Sequence, residues 1–310
     1  MNSFRIQKIM CCRNPTDLLP VGWKRQIAAW FAEDCPSFDY ARFAVGDDVA
    51  SMTLYAKTCG ILAGVPFFTE IFALADCKVE WLFPEGDYMP VNTGGKIAIA
   101  IVTGLVRNIL RGERIGLNLL SRSSSIATLS GATRLTFDFA AFKHVMIADQ
   151  TTPGFKLVES YAMKIGGIHH YDQDPSVMIM LTKNHIQVSG SVKDSIKAAK
   201  CISGDTLRVW VEVDNVNDAI QAAILNADVV LMRSIPFRTI EEVIEVVREN
   251  FDSISKFGIE VSRYFYPEFK LIYDGDNIDY HPFMDRSIDV VLINNVQGTP
   301  RVDFCLKWND

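Results

Sequence analysis

The second half of this chain alternates short apolar segments with helical patterns, and this alternation limits its fold more than any other feature. Six apolar segments of strand length follow one another after residue 135: His144–Asp149, Val177–Leu181, Leu207–Val213, Asp228–Met232, Gly258–Ser262 and Ile288–Asn294. Helical patterns separate them, as in Ser191–Ile202 and Thr239–Phe251. Strands that alternate with helices form parallel sheets, because each crossover helix returns the chain to the same edge. The pattern predicts an α/β fold, either a doubly wound sheet or an α/β barrel.

The first half of the chain has a different organisation, in which helices accompany an alternating sheet. Val49–Lys57 alternates apolar and polar residues, as half-buried strands do, and Lys96–Gly104 is a second strand. Asp17–Asp34 has large apolar residues at helical spacing, and Val106–Ser130 reads as a long helix. We therefore expect two domains with separate hydrophobic cores, for which a chain of 310 residues is long enough.

Composition excludes several classes of protein. A formal net charge of −6 gives no reason to expect nucleic-acid binding. The most apolar run, Ile97–Val106, is too short to span a bilayer, and the N-terminus lacks a signal-peptide core, so we expect no membrane association. The seven cysteines are odd in number and form no C-x-x-C pair, which favours reduced thiols over disulfides or a zinc site. A cytoplasmic protein without a bound metal is expected.

Several stretches of the sequence, taken in order, resemble one enzyme family. They are Ala56–Phe68 (AKTCGILAGVPFF), Trp81–Gly86 (WLFPEG), Gly112–Ala127 (GERIGLNLLSRSSSIA), Thr151–Tyr161 (TTPGFKLVESY), the pair Asn184 and His185, and Val302–Trp308 (VDFCLKW). Together they are similar to the quinolinate (nicotinate-nucleotide) phosphoribosyltransferases. The E-R-x-x-L-N element and the TTPG motif are the most specific of these stretches.

The resemblance implies a particular α/β architecture. Residues 1–125 would form an N-terminal α/β sandwich, residues 126–296 an incomplete α/β barrel, and residues 297–310 a strand that returns to the first domain. The family pocket lies at the C-terminal ends of the barrel strands. The family dimer lets the E-R-x-x-L-N helix of one subunit complete the site of the other. On this model the chain is a homodimer in which Arg114 crosses to the neighbouring site.

Cations that the family places at the strand ends are replaced in this chain. Asp149 and Gln150 stand before Thr151 where the family has Arg-Lys. His169 matches the family, whereas His170 replaces an arginine. Thr182 stands where a lysine is expected, with Lys183 one position later.

Acidic residues and glycines of the family pattern are replaced as well. Trp210 occupies the place of a glutamate, although Glu212 is retained. Arg233 stands where an acidic residue is expected, and a cation there would oppose Mg²⁺ binding. Tyr264 and Asn294 replace glycines whose backbone amides would approach a phosphate. These differences predict a site that needs no metal or cofactor.

The replacements lead to the hypothesis that phosphoribosyl transfer has been lost. Three missing charge-assisted contacts would cost about 5–9 kcal/mol. An apolar pocket with a few polar anchors suits a hydrophobic small molecule that carries a carbonyl or carboxylate. The predicted activity is therefore a cofactor-free cyclisation or isomerisation in natural-product biosynthesis, for example a pericyclic closure of the Diels–Alder type.

This hypothesis assigns roles to residues and leaves two alternatives open. The predicted catalytic residues are His169, His170, Glu212 and Arg233. The predicted substrate-binding residues are Arg114, Asp149, Gln150, Thr151, Thr182, Lys183, Trp210, Tyr264 and Asn294. Trp210 could instead fill the core, and Arg114 could serve a dimer interface alone. The whole chain could also be a retained quinolinate phosphoribosyltransferase of NAD biosynthesis, or a regulatory pseudoenzyme that pairs with an active relative.

Overall fold

The chain was analysed as a computed structural model, which divides into two compact units. Unit 1 comprises residues 1–136, 150–170 and 296–310, and unit 2 comprises residues 137–149 and 171–295. The structure describes residues 15–34, 36–37, 39–138, 144–147, 151–170, 176–204, 206–232, 270–274, 290–293 and 301–308.

Helices and strands alternate through most of the described chain. A 3₁₀ turn at Pro15–Leu18 precedes the helices, which are α1 (Trp23–Asp34), α2 (Tyr40–Val45), α3 (Val65–Leu74), α4 (Val106–Asp138), α5 (Lys156–Ile165), α6 (Lys183–Ser189), α7 (Val192–Ser203) and α8 (Val216–Ile224). The strands are β1 (Val49–Ala56), β2 (Gly60–Ile61), β3 (Lys78–Trp81), β4 (Tyr88–Met89), β5 (Ile97–Leu105), β6 (His144–Ile147), β7 (His169–His170), β8 (Met178–Leu181), β9 (Arg208–Val213), β10 (Val229–Met232), β11 (Lys270–Asp274), β12 (Val290–Ile293) and β13 (Phe304–Trp308).

Unit 1 is built on an antiparallel sheet with the strand order β13-β1-β5-β3. Leu54 of β1 pairs with Leu306 on one side and with Ala100 on the other, so the C-terminal strand lies beside the first strand. Met52, Leu54 and Ala56 of β1 are buried at alternate positions, as expected for a sheet with one face against a core, and the neighbouring Thr53 is buried as well. A two-stranded ladder of β2 and β4 completes the sheets of this unit.

Helix α4 packs closely against α3 within the core of unit 1. Phe67, Phe68 and Phe72 of α3 are fully buried there. A Cβ atom at Gly112 or Gly116 of α4 would lie 3.1 Å from the Phe72 ring, which is tighter than ordinary packing. These two glycines therefore let α4 approach the phenylalanines. This contact fixes which side of α4 faces the core and which side faces away from α3.

Unit 2 contains a parallel sheet in which six strands follow the order β6-β12-β11-β10-β9-β8. The strands from β8 to β12 are neighbours in chain order, and the last of them pairs with β6, the first strand of the unit. A succession that returns to its first strand is the order found in α/β barrels. The α/β class predicted from the alternating pattern is confirmed.

The two faces of the unit 2 sheet have separate apolar clusters. On one face, Val209, Val211 and Val213 pack with residues of α7 and α8, including Ile196 and Ala222. On the other face, the residues that pack together are Met178, Trp210, Val229 and Leu231. Because side chains alternate along a strand, residues 210 and 212 of β9 point to this second face.

Most strands of four or more residues begin and end within two residues of the prediction, and β11 is the exception. Strand β11 (Lys270–Asp274) was not predicted, because its apolar centre is short and the fifth strand had been assigned to Gly258–Ser262. That predicted segment lies outside the described residues. Helix α4 also continues to Asp138, eight residues beyond the predicted end at Ser130.

Candidate functional site

One face of α4 carries a row of polar side chains that lines a cavity in unit 1. Arg114, Asn118 and Arg122 are four residues apart, so they project from the same side of the helix. The cavity has a volume of about 670 Å³. Its lining residues are Trp30, Glu33, Asp34, Arg114, Ile115, Asn118, Leu119, Arg122 and Phe155.

Arg114 is held by the last residue of α1. Its Nε lies 3.0 Å from Oδ1 of Asp34, and its Nη2 donates to the main-chain oxygen of Asp34 at 2.7 Å. A guanidinium at a helix C-terminus satisfies a main-chain carbonyl and interacts favourably with the helix dipole. The side chain of Arg114 is still 71% exposed, so the rest of the guanidinium can bind an anion. The predicted crossing of Arg114 to a neighbouring subunit stays a prediction.

The TTPG motif is held in place by Glu159, a buried residue in the first turn of α5. Its carboxylate accepts hydrogen bonds from the Thr152 N–H at 2.8 Å and from the Thr152 hydroxyl at 2.9 Å. It also forms an ion pair with Arg122, whose Nη2 lies 3.0 Å from Oε1. Gly154 supplies a positive φ of 79°, and its carbonyl accepts a hydrogen bond from Gln26. Thr151, a predicted binding residue, is half-buried at the start of this turn.

In unit 2, charged residues collect at the C-terminal ends of β8 and β9. They contribute to the lining of a cavity of about 320 Å³. The lining residues are Lys183, Ile186, Gln187, Glu212, Val213, Asp214 and Asp218. The predicted residues Lys183 and Glu212 are therefore brought to one cavity. Lys183 forms an ion pair with Asp214, and the hydrogen bond between them raises the pKa of Lys183 and lowers the pKa of Asp214.

Thr182 begins helix α6 and has its polar atoms engaged locally. Its hydroxyl lies 2.7 Å from Nδ1 of His185, and its backbone N–H donates to the same nitrogen at 3.1 Å. This arrangement satisfies groups that the first turn of a helix leaves without partners. In this structure Thr182 stabilises the start of α6, and its role in substrate binding stays a prediction.

Trp210 fills the inner face of the unit 2 sheet. Its side chain is buried and packs with Met178, Val229 and Leu231. This contact set agrees with the core-filling alternative for Trp210. Its predicted place in the lining of a substrate cavity stays a prediction.

The seven remaining predicted site residues lie in strand β7 or outside the described residues. His169 and His170 form strand β7, of which the structure describes the backbone. The others lie outside the described residues, and they are Asp149, Gln150, Arg233, Tyr264 and Asn294.

Sequence reasoning missed four polar residues that the structure brings to these cavities. The spacing of Asn118 and Arg122 from Arg114 is visible in the sequence and could have indicated them. Asp34 and Asp214 carry no such signal, because their contacts with Arg114 and Lys183 join segments that are far apart in the chain.

Metal sites and membrane-spanning helices are both absent from the described residues. No group of three or more His, Cys, Asp or Glu side chains among them could hold a metal ion. In the same part of the chain, no helix is long and apolar enough to cross a membrane.

Comparison with known proteins shows the family of this chain. The family models for the N-terminal and C-terminal domains of quinolinate phosphoribosyl transferase match residues 39–124 and 126–266. The human carboxylating nicotinate-nucleotide pyrophosphorylase is 34% identical over 294 residues, covering 94% of this chain and 93% of that protein. The Dictyostelium discoideum protein of the same name is 33% identical, covering 91% of this chain and 94% of that protein.

Solved structures agree with the sequence comparison. NadC from Streptococcus pyogenes has a TM-score of 0.78 at 26% identity, covering 97% of this chain and all of that chain. A NadC deletion mutant has the same TM-score at 27% identity. The fold and the sequence thus define a phosphoribosyltransferase-type enzyme. This chain belongs to the quinolinate phosphoribosyltransferase family.

The predicted cyclisation or isomerisation in natural-product biosynthesis is wrong. Relatives that are 33–34% identical over about nine-tenths of the chain are named as pyrophosphorylases, and none of those cited is named as a cyclase. The prediction had counted replaced cations one by one and expected an apolar cavity. The described cavities are instead lined by charged residues, which include Lys183 with Asp214 at the strand ends and Arg122 beside the TTPG turn.

Proposed function

We propose that this chain is a quinolinate phosphoribosyltransferase that makes nicotinate mononucleotide. The observation that carries the proposal is the 34% identity to the human carboxylating nicotinate-nucleotide pyrophosphorylase across both domains. Read in the synthetic direction, that name describes quinolinate and phosphoribosyl pyrophosphate as substrates. The quinolinate nitrogen forms a bond to C1 of the ribose, and pyrophosphate leaves with the electron pair of the broken C1–O bond. The 2-carboxylate then departs as CO₂, and the electron pair left at C2 of the ring takes up a proton from water.

The charges in the two cavities are consistent with this chemistry. Both substrates are polyanions, and arginine and lysine side chains bind carboxylates and phosphates through charge-assisted hydrogen bonds. Arg114 and Arg122 supply guanidinium groups on α4, and Lys183 supplies an ammonium group at the strand ends. We assign Arg114 and Lys183 to substrate binding. His169, His170, Thr151 and Glu212 stay as further candidates for the site.

A homodimer and a cytoplasmic location belong to the same proposal. Arg114 is largely exposed and could reach the site of a second subunit, as the family resemblance implies. Scattered cysteines suit a reducing compartment, and the described thiols Cys59, Cys77, Cys201 and Cys305 are all free. Light scattering on the purified chain would test the dimer.

Product analysis tests the proposed activity directly. The purified chain is incubated with phosphoribosyl pyrophosphate and with quinolinate labelled with ¹³C at the 2-carboxylate. We expect nicotinate mononucleotide and labelled CO₂ in equal amounts, both absent when either substrate is omitted. Arg114→Ala should lower kcat/KM by at least tenfold, because a charge-assisted contact is lost. Lys193→Ala, which changes an exposed lysine of α7, is the matched control. Failure to form nicotinate mononucleotide even at stoichiometric enzyme would refute the proposal.

A further inference from the structure

A second polar cavity lies further along α4 in unit 1. It has a volume of about 330 Å³ and is lined by Asn118, Ser121, Arg122, Ser125 and Arg301. Asn118 and Arg122 also line the larger cavity that contains Arg114, whereas the two serines and Arg301 do not. Two guanidinium groups, one amide and two hydroxyls therefore surround a space that exceeds the size of a phosphate group.

Arg301 is held at this cavity by its neighbour Val302. The hydroxyl of Ser121 donates to the main-chain oxygen of Val302 at 2.5 Å, and the N–H of Val302 donates to the Ser125 hydroxyl at 2.8 Å. Ser125 in turn donates to the main-chain oxygen of Ser121 at 2.7 Å. Both polar groups of the Val302 backbone are thus bound to α4, and Val302 is buried. The backbone next to Arg301 is fixed rather than free to carry this side chain away from α4.

Few negative charges in the described structure compensate Arg301. Its Nη2 lies 3.9 Å from Oδ1 of Asp303, and its side chain is 74% exposed. The Asp303 carboxylate is already bound by Lys57 at 2.6 Å and by the N–H of Phe304 at 3.1 Å. The long separation makes the pair of Arg301 and Asp303 weak, since exposed ion pairs contribute little.

Arg122 is compensated only in part. Its Nη2 binds Glu159, but that carboxylate also accepts two hydrogen bonds from Thr152. An arginine has five N–H donors, and this contact occupies one end of the guanidinium. Two cations held beside one cavity repel each other unless an anion lies between them. The bonds of Val302 hold the backbone next to Arg301, and Glu159 binds Arg122, so both guanidinium groups line the same cavity.

We propose that Asn118, Arg122 and Arg301 bind a phosphate group. Guanidinium groups match the geometry of phosphate oxygens and bind them in pairs of hydrogen bonds, and the Asn118 amide supplies a further donor. The group could be inorganic phosphate, pyrophosphate or the phosphate of a nucleotide, which share this chemistry. The site is formed by residues of unit 1 and uses none of the strand-end residues of unit 2. It shares Asn118 and Arg122 with the cavity of Arg114 and adds Arg301, to which the proposed transferase activity assigns no role.

Binding measurements on the full chain test the proposal without turnover. Phosphate, pyrophosphate and nicotinate mononucleotide are titrated separately into the wild-type protein and into Arg301→Gln by calorimetry. We expect at least one probe to bind about tenfold more weakly to the variant, and the probe with the largest loss identifies the natural source of the phosphate. Lys307→Gln, which removes an exposed cation from β13, is the matched control and should bind as the wild type does.

Crystals soaked in tungstate locate the site. An anomalous peak between Arg122 and Arg301 that is absent from Arg301→Gln would support the proposal. Equal affinity of wild type and Arg301→Gln for all three probes would overturn it, as would tungstate peaks confined to other parts of the chain. These experiments measure binding and need no turnover. They therefore test the phosphate site even if the protein shows no transferase activity.

Discussion

Arg122 of α4 and Glu159 of α5 form an ion pair in which Nη2 lies 3.0 Å from Oε1. The carboxylate is only 3% exposed, and it also binds the backbone and hydroxyl of Thr152. One buried acid thus joins two helices to the TTPG turn, whose Phe155 lines the cavity of Arg114. Glu159 therefore fixes the turn beside this cavity.

Removal of this charge should destabilise the protein. In Glu159→Gln, Arg122 loses its partner and Thr152 loses a charged acceptor, so we expect the free energy of unfolding to fall by about 2–4 kcal/mol. Chemical denaturation provides the measurement. Glu70→Gln breaks the pair of Lys24 and Glu70, in which the lysine is exposed, and should cost about 1 kcal/mol or less. Equal losses in the two variants would contradict the role assigned to Glu159.

Asp34 should act on catalysis through the orientation of Arg114. In Asp34→Asn the main-chain contact to Arg114 remains but the ion pair is lost, so the guanidinium becomes less ordered. We expect KM for quinolinate to rise about three- to tenfold with a smaller change in kcat. Steady-state kinetics measure this split. Glu80→Gln, which changes an exposed acid of β3 outside the lining of this cavity, is the control and should leave KM within twofold.

Lys183 should matter for activity far more than for stability. Its pair with Asp214 is exposed, so Lys183→Met should leave the free energy of unfolding nearly unchanged. If Lys183 binds an anionic substrate, kcat/KM should fall by about 10- to 100-fold. Denaturation and kinetics on the same preparation separate the two effects. An unchanged kcat/KM would remove Lys183 from the site.

Glu85 should make stability depend on pH. Burial raises the pKa of Glu85 from its ordinary 4.5 to about 7, although its carboxylate accepts hydrogen bonds from the N–H groups of Gly64 and Val65. Between pH 4.5 and about pH 7, the Glu85 carboxyl is protonated in the folded state and deprotonated in the unfolded state. The contribution of Glu85 to the free energy of unfolding is therefore fully present below pH 4.5 and is lost as the pH rises to about 7. The free energy of unfolding falls by up to about 3 kcal/mol over this range.

Thermal unfolding measured from pH 5 to pH 8 tests the effect of Glu85. Tm should fall across this range in the wild type, and Glu85→Gln should flatten the profile because the titrating group is gone. Glu80→Gln, which changes an acid on the nearby strand β3, should keep the wild-type slope. A Tm that rises with pH in the wild type would contradict the assigned shift.

Local patterns were enough to predict the α/β class and most of the elements. Alternating apolar residues marked β1 and β5, and short apolar segments marked the parallel strands, because burial on both faces requires continuous apolar runs. The E-R-x-x-L-N and TTPG stretches identified the family. Strand β11 was missed because Leu271, Ile272 and Tyr273 form too short a run to stand out.

The character of the site could not be derived from those patterns. Each replaced residue was weighed alone, yet a charge acts through its surroundings. Lys183 meets Asp214 from the next strand, and Arg114 meets Asp34 from the end of another helix. Periodicity within a segment predicts which face is buried, but the position of one segment against another depends on packing over the whole core. For this protein the elements and the family follow from local sequence, whereas the pairing of charges around the cavities follows only from tertiary contacts.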